Sequence, residues 1–203
     1  MRVIAGSAGG VRLHVPRRGV RPTMDRVKAA IFSSLGDAVI GQKILDLFSG
    51  TGGLGIEALS RGASSALFVD SDRQSIATIE KNLVKAKLDG RVRQQDVFEF
   101  LRRSSFKEKS GIIFADPPYE KTPTGERFTE KLLRDNSLPK LLEPDGIFVL
   151  EKRPAEELPE SPFWKVSRRK TYGATEVLFL QHAPVTLTPC RKSIPSAGGA
   201  ACL

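Results

Sequence analysis

The chain has 203 residues, of which 40% are hydrophobic and 27% are charged, values typical of one folded domain and not of a disordered or collagen-like chain. The sequence has no run of about 18 apolar residues, so it predicts no membrane-spanning helix. Both cysteines, Cys190 and Cys202, lie near the C-terminus, which excludes a disulfide or metal scaffold for the body of the protein. The net charge is +9, and +6 of it falls within residues 1–30, which is typical of a nucleic-acid partner or of a merely solubilising basic surface.

The first 42 residues predict a hairpin followed by a helix. Residues 2–5 and 10–15 alternate apolar and polar side chains around a glycine-rich link, a pattern typical of a β-hairpin. After a basic link, Thr23 precedes apolar residues at helical spacing and is the predicted N-cap of that helix.

From residue 43 onward the pattern changes to alternating strands and helices, which is typical of an α/β sheet with parallel strands. The predicted strands are 44–48, 66–70, 92–95, 112–115 and 147–150, and the predicted helices lie at about 53–61, 73–88, 96–104 and 127–135.

The last part of the chain predicts a different arrangement. Residues 163–170 and 176–180, joined through Tyr172 and Gly173, predict an antiparallel hairpin that closes the sheet edge. Beyond His182 the composition predicts a disordered tail. We therefore expect an N-terminal basic arm (1–42), an α/β domain (43–182) and a tail (183–203).

A glycine-rich turn follows the first strand and predicts a cofactor site. Gly50, Gly52 and Gly55 fit the G-x-G-x-x-G pattern, and Asp70, 20 residues past Gly50, ends the next strand, where it can accept hydrogen bonds from ribose hydroxyls. Asp46, at the end of the first strand, would repel a pyrophosphate but suits an α-ammonium group. The predicted cofactor is therefore S-adenosylmethionine.

Two further residues join this predicted cofactor group. Asp96 follows the third strand, where it is placed to face the adenine amino group or to cap the helix over 97–104, and both roles can coexist. Phe48 lies in the glycine-rich turn itself.

The fourth strand ends in Asp116-Pro117-Pro118-Tyr119, which predicts amino-group chemistry. The two prolines fix the backbone and leave the Pro117 carbonyl free to accept a hydrogen bond. Asp116 and that carbonyl can each accept one N–H from an exocyclic amino group, aiming the nitrogen lone pair at a sulfonium methyl, while the Tyr119 ring stacks on the base. Such catalysis works by orientation and electrostatics, with no metal.

Over about residues 2–182 the chain resembles the bacterial RsmD family, which methylates N2 of a guanine in small-subunit ribosomal RNA. The more specific parts of the resemblance are 4–16 and 21–28, whereas 45–63 and 116–119 are shared by many amino-group methyltransferases, and 170–173 is similar to the closing hairpin of the family. One departure is that Gly9 and Val11 stand where family hairpins usually carry basic residues, which lowers the RNA affinity expected of the hairpin.

The resemblance implies a class I, Rossmann-like methyltransferase and assigns roles by position. Asp46, Gly50, Gly52, Asp70 and Asp96 would serve the cofactor, and Asp116, Pro117 and Tyr119 the base. Arg21, Thr23 and Arg26 would line the opening between the cofactor site and the base site, and Thr23 would also contact the cofactor. The expected RNA contacts are Arg12, Arg17, Arg18, Arg21 and Arg26. We expect a cytoplasmic monomer that acts on this RNA, either naked or within an assembled or partly assembled 30S particle.

Four alternatives stay open at the level of sequence. An adenine-N6 nucleic-acid enzyme or a glutamine-N5 protein enzyme would share the Asp-Pro-Pro-Tyr chemistry, although a sequence-reading DNA enzyme needs a larger insert and the protein enzymes favour asparagine at position 116. A nicotinamide dehydrogenase would leave that motif without a role. A non-enzymatic ribosome-assembly factor would explain the basic arm but not the cofactor turn.

Overall fold

The computed structural model describes residues 1–15, 23–104, 108–118 and 127–184, without the side chains of Thr23 and Met24. Its helices are α1 (Thr23–Leu35), α2 (Gly53–Ser60), α3 (Arg73–Ala86), α4 (Val97–Arg103) and α5 (Phe128–Arg134), with short 3₁₀ helices at Gly36–Val39 and Leu138–Leu141. Its strands are β1 (Lys43–Leu47), β2 (Ser65–Asp70), β3 (Arg91–Gln94), β4 (Ser110–Ala115), β5 (Leu142–Lys152), β6 (Trp164–Tyr172) and β7 (Thr175–His182).

These strands form one seven-stranded sheet in the order β3-β2-β1-β4-β5-β7-β6. Strands β1 to β5 are parallel, whereas β7 pairs antiparallel with both β5 and β6. The predicted mostly parallel sheet with a C-terminal antiparallel hairpin is therefore confirmed. The winding reverses between β1 and β4. Open α/β sheets bind ligands beside such a reversal, at the carboxyl ends of the strands.

Neighbouring residues of the central strands face two separate cores. In β1, Ile44 packs with Phe32 and Phe68 on one face of the sheet, whereas Leu45 packs with Val69 on the other. Side chains alternate across a strand, so both faces of the sheet are covered. Double coverage explains why these strands are continuous apolar runs and not alternating ones.

The two edge strands are exposed. The sequence predicts an apolar strand at 92–95, but β3 lies at the sheet edge, where Val92 is only half-buried and Arg91, Arg93 and Gln94 face solvent. At the other edge, β6 exposes most of its side chains, several of them basic. Charged edges of this kind discourage pairing with another chain.

The start of helix α1 differs from the sequence prediction, and most of the predicted C-terminal tail lies outside the described residues. Helix α1 begins at Thr23 itself, so Thr23 is the first helical residue and not the cap that precedes the helix. Residues 185–203 of the predicted tail lie outside the described residues.

Within the described part of the chain, every helix is too short or too polar to cross a lipid bilayer.

Residues 1–15, the N-terminal ribbon, pair back on themselves in antiparallel fashion, but they form one isolated β-bridge, between Arg2 and Arg12, and not the two regular strands of the predicted hairpin. Val3 N–H donates to Val11 O (2.9 Å), Gly10 N–H to Val3 O (2.9 Å) and Leu13 N–H to Met1 O (3.1 Å). The buried side chains of Val3 and Leu13 join the core cluster that also contains the α1 side chains. The ribbon and α1 therefore pack directly on the sheet domain.

A buried carboxylate on α2 holds the ribbon and α1 in place. Glu57 is fully buried and accepts hydrogen bonds from Ile4 N (2.7 Å) and Ala5 N (3.1 Å). It also pairs with Lys28 of α1 (3.1 Å) and with Arg61 (2.8 Å). Burial lowers the pKa of Lys28, an effect that the adjacent Glu57 opposes. Because all four donors converge on one carboxylate, its charge is compensated inside the core.

Candidate active site

Strands β1, β2, β4 and β5 end side by side, at Leu47, Asp70, Ala115 and Lys152, along what we call the carboxyl edge of the sheet. Three of the sequence-predicted acids, Asp46, Asp70 and Asp116, meet at this edge. The carboxylates of Asp116 and Asp70 both lie near enough to raise the pKa of Asp46. The fold therefore brings together acids that are up to 70 residues apart in sequence.

The turn between β1 and α2 depends on left-handed backbone conformations. Gly50 (φ +55°) and Gly52 (φ +75°) both occupy the region that favours glycine. Phe48 adopts φ +54° without that freedom, which marks a position where the surrounding structure imposes the conformation. Gly52 N–H donates to Ser49 O (2.7 Å) and closes the turn.

The third glycine of the pattern has a packing role. A Cβ atom on Gly55 would lie 2.3 Å from the Phe68 ring and 3.0 Å from Asp46 Oδ2. Its N–H donates to Asp46 Oδ2 at 2.9 Å. Gly55 therefore lets α2 approach the strands closely enough to hold the Asp46 carboxylate.

Asp46 is a buried acid whose charge is unfavourable in the ligand-free protein. Its side chain is 2% exposed. Burial raises its pKa from the ordinary 3.8 to about 8; the bond from Gly55 N–H opposes this shift, and the charges of Asp116 and Asp70 add to it. A cationic ligand beside Asp46 would reverse this penalty.

We expect the substitution Asp46→Asn to stabilise the ligand-free protein at pH 8. The folded state holds the Asp46 proton more tightly than the unfolded chain, so the free energy of unfolding falls as the pH rises from 3.8 to about 8. Thermal unfolding should show a Tm gain of about 2–4 °C or more at pH 8, equivalent to about 1 kcal/mol or more, and a much smaller gain at pH 4. The matched control is Asp89→Asn, because Asp89 is an exposed acid. Equal Tm gains for the two variants at pH 8 would contradict the raised pKa of Asp46.

Asp70 anchors the turn between β1 and α2, residues 48–52, which we call the cofactor turn. It also retains positions that can accept hydrogen bonds from a ligand. Its Oδ2 accepts from Gly50 N–H (2.8 Å) and its Oδ1 from Asp72 N–H (2.9 Å). A carboxylate offers about four acceptor positions, so two stay available for the paired hydroxyls of a ribose. The carboxylate thus fits the predicted role and also shapes the turn, which sequence reasoning did not anticipate.

Asp96 and Phe48 lie beside this turn in arrangements with clear structural roles. Asp96 caps α4, since its Oδ1 accepts from Glu99 N–H at 2.9 Å. The Phe48 ring meets Phe98 of α4 and Phe128 of α5 edge-on, with ring centroids 6.2 and 5.5 Å apart. Their contacts with the cofactor stay predictions.

A fourth acid, Glu151, belongs to the same edge and was missed from the sequence. In the parallel β4–β5 register Ala115 pairs with Leu150, so Glu151 of β5 lies beside Asp116, the residue that follows β4. Burial raises the pKa of Glu151 well above its ordinary range, and the charges of Asp116 and Asp46 add to the shift. One signal for it was present, because Glu151 directly follows the apolar run 147–150, just as Asp116 follows 112–115.

The remaining predicted site residues are described only in part. Asp116 is half-buried and Pro117 is buried directly after β4, whereas Tyr119 lies outside the described residues. Of the predicted RNA contacts, Arg12 on the ribbon and Arg26 on α1 are exposed. Outside the described residues lie Arg17, Arg18 and Arg21, together with the side chain of Thr23.

The carboxyl edge therefore suits a ligand that combines a ribose with positive charge. Asp70 retains acceptors for hydroxyls, and Asp46 is a buried acid that a cation would stabilise in its ionised form. S-adenosylmethionine carries a ribose, a sulfonium and an α-ammonium group, and so fits this donor set. Fold and site together define a class I S-adenosylmethionine-dependent methyltransferase.

The chain belongs to the family described as Conserved hypothetical protein 95, whose model matches residues 1–181. The Bacillus subtilis protein YlbH is 41% identical over 183 residues, which cover 87% of this chain and 96% of that protein. The Escherichia coli protein named Ribosomal RNA small subunit methyltransferase D is 34% identical over 176 residues, 85% of each chain. The solved structure of Escherichia coli yhhF superposes with a TM-score of 0.76 at 29% identity, covering 90% of this chain and 97% of that one.

Proposed function

We propose that this protein transfers a methyl group from S-adenosylmethionine to the exocyclic N2 of a guanine in small-subunit ribosomal RNA. The observation that carries the proposal is the position of Asp116 and Pro117 directly after β4, next to the cofactor turn at the point where the sheet reverses its winding. Relatives named Ribosomal RNA small subunit methyltransferase D, which align with 85–90% of the chain, support the choice of substrate.

In this mechanism the protein orients the amino group and stabilises the charge that develops on it. Asp116 and the Pro117 carbonyl accept the two N–H bonds of N2, which turns the nitrogen lone pair toward the cofactor. Because these bonds strengthen as the nitrogen becomes tetrahedral, they favour the transition state over the ground state. When bound, S-adenosylmethionine would supply the methyl group and become S-adenosylhomocysteine as the bond from carbon to sulfur breaks and the bond to N2 forms. N2 would then release one proton to solvent.

We further propose that the basic residues of the N-terminal region bind the RNA backbone while the carboxyl edge holds the target base. Exposed Arg12 and Arg26 are in keeping with phosphate contacts. We also propose that the protein works in the cytoplasm as a monomer, on free RNA or on an assembling 30S particle.

The direct test is product analysis. Small-subunit rRNA that lacks base methylation is incubated with the protein and S-adenosylmethionine, digested to nucleosides and analysed by mass spectrometry. The expected product is N2-methylguanosine. N6-methyladenosine, or methylation of an added protein and not of the RNA, would contradict the proposal.

Cofactor binding has its own prediction, carried by Asp70. The substitution Asp70→Ala should weaken S-adenosylmethionine binding by about 1.5–3 kcal/mol, one to two decades in Kd, because it removes charge-assisted bonds to the ribose and the anchor of Gly50 N–H. Calorimetric titration measures the change. The control is Asp72→Ala, which removes the neighbouring acid that caps α3 and should leave the Kd nearly parental. An Asp70→Ala variant with the parental Kd would show that Asp70 does not bind the cofactor.

A further inference from the structure

A single buried amide connects the N-terminal ribbon to the cofactor turn. Asn82 is fully buried on α3. Its Oδ1 accepts from His14 N–H (2.6 Å), and its Nδ2 donates to His14 O (3.0 Å) and to Thr51 O (2.9 Å). Thr51 lies between the two left-handed glycines of the turn, and His14 is near the end of the ribbon, just before the basic link. The amide is thus bonded to both elements at once.

A second contact joins the same two elements. Met1 Sδ lies 3.5 Å from Thr51 Oγ1, and a Cβ atom on Gly53 would approach Met1 Sδ to 2.6 Å. The start of the ribbon therefore packs on the turn without intervening space. A shift of the turn would disturb the ribbon at both ends, at Met1 and at His14.

Other bonds hold the ribbon but do not reach the turn. Ser60 Oγ donates to Ala5 O (2.6 Å) and accepts from Ala8 N–H (2.9 Å). Glu57 likewise binds ribbon N–H groups from α2. Ser60 therefore offers a matched control for Asn82, since both are buried polar residues that dock the ribbon, and only Asn82 also bonds the turn.

We propose that Asn82 is a positioning residue that couples the ribbon to the cofactor turn, so that a ligand bound at the turn orders the ribbon and RNA bound through the arm strengthens cofactor binding. Coupling of this kind is reciprocal, because both ligands favour the same arrangement of the shared element. The RNA half of this inference rests on the proposed function; the cofactor half does not.

The first test measures hydrogen exchange of the ribbon with and without S-adenosylhomocysteine. The reporting amides are Val3, Gly10 and Leu13, whose bonds lie within the ribbon and do not involve Asn82. In the parent and in Ser60→Ala, the ligand should slow their exchange by about fivefold or more. In Asn82→Ala the ligand should slow the exchange by less than about twofold, because only the contact of Met1 with the turn remains. Both variants should exchange faster than the parent in the absence of the ligand.

Three results would overturn the proposal. They are a parent ribbon that does not respond to the ligand, an Asn82→Ala ribbon that responds like the parent, and a Ser60→Ala ribbon that loses the response as Asn82→Ala does. The last would mean that general docking and not the amide carries the coupling. If Asn82→Ala does not fold, Asn82→Asp takes its place, because its carboxylate can still accept from His14 N–H but has no N–H to donate to Thr51 O.

The second test measures the Kd of S-adenosylhomocysteine with and without a saturating fragment of small-subunit rRNA. The ratio of the two Kd values should be about fivefold or more in the parent and in Ser60→Ala, and below about twofold in Asn82→Ala, where only the Met1 contact joins ribbon and turn. A ratio that Asn82→Ala leaves unchanged contradicts the proposal. If the parent binds no rRNA at all, the proposed function fails, and the exchange experiment alone decides the coupling.

Discussion

Replacing Asp116 with alanine is expected to lower kcat by about 10²- to 10³-fold while leaving S-adenosylmethionine affinity within about threefold of the parent. The bond from N2 to the carboxylate strengthens only as the nitrogen becomes tetrahedral, so its loss affects turnover and not cofactor binding. The structure adds a reason for the retained affinity. Removing the Asp116 charge lowers the pKa of neighbouring Asp46, which favours the ionised form that binds a cation.

Steady-state methylation of rRNA at saturating substrate gives kcat, and a separate cofactor titration gives the affinity for S-adenosylmethionine. Asp145→Ala is the matched control, because this exposed acid lies in β5 toward the sheet edge opposite the site. We expect the control to retain parental kcat. An Asp116→Ala enzyme whose kcat stays within a few-fold of the parent would rule out the proposed role of Asp116.

Replacing the arm residues Arg12, Arg17, Arg18 and Arg21 with serine is expected to weaken RNA binding steeply at low salt. Each phosphate contact that is lost should lower the slope of log K against log salt by roughly 0.7 to 0.9, so four should flatten it by up to about 3. Cofactor affinity in the absence of RNA should stay near that of the parent, because the turn and its acids belong to the sheet.

The control removes the same charge from the amino edge of the sheet, which lies opposite the carboxyl edge. The control residues are basic and lie at or near the starts of strands, at the amino edge of the sheet. They are Lys43 in β1, Arg91 in β3, Lys140 just before β5 and Lys165 in β6. Their replacement by serine changes the net charge equally but should leave the slope nearly parental. Equal slopes for the two quadruple variants would mean that net charge and not the arm drives RNA binding.

Much of the sheet could be predicted because its signal is local. The runs 44–48, 66–70 and 112–115 are short and mostly apolar, and each became a strand within two residues of the predicted bounds. The predicted acids share the same local rule, since each lies at or just beyond the end of a strand. In a parallel sheet these ends must meet at one edge, so the location of the site was implied before any contact was known.

Residues whose roles depend on distant partners were missed for a physical reason. Asn82 appears in sequence as one polar position within the α3 helix, and nothing nearby indicates that Thr51 and His14 are its partners. Glu57 similarly acquires its importance from ribbon N–H groups more than 50 residues away. Hydrogen bonds between distant segments leave no periodic pattern, because they depend on how the elements pack.

By itself the sequence determined the α/β fold, the order of its elements and the acids and prolines at the strand ends, because periodicity and turn chemistry act over a few residues. Only the tertiary structure decided how those groups behave. It made β3 an exposed edge, buried Asp46 so that its pKa rises to about 8, added Glu151 to the site, and tied the ribbon to the cofactor turn through Asn82. Burial, charge proximity and long-range hydrogen bonding are properties of the packed elements, and they come into existence only when the chain has folded.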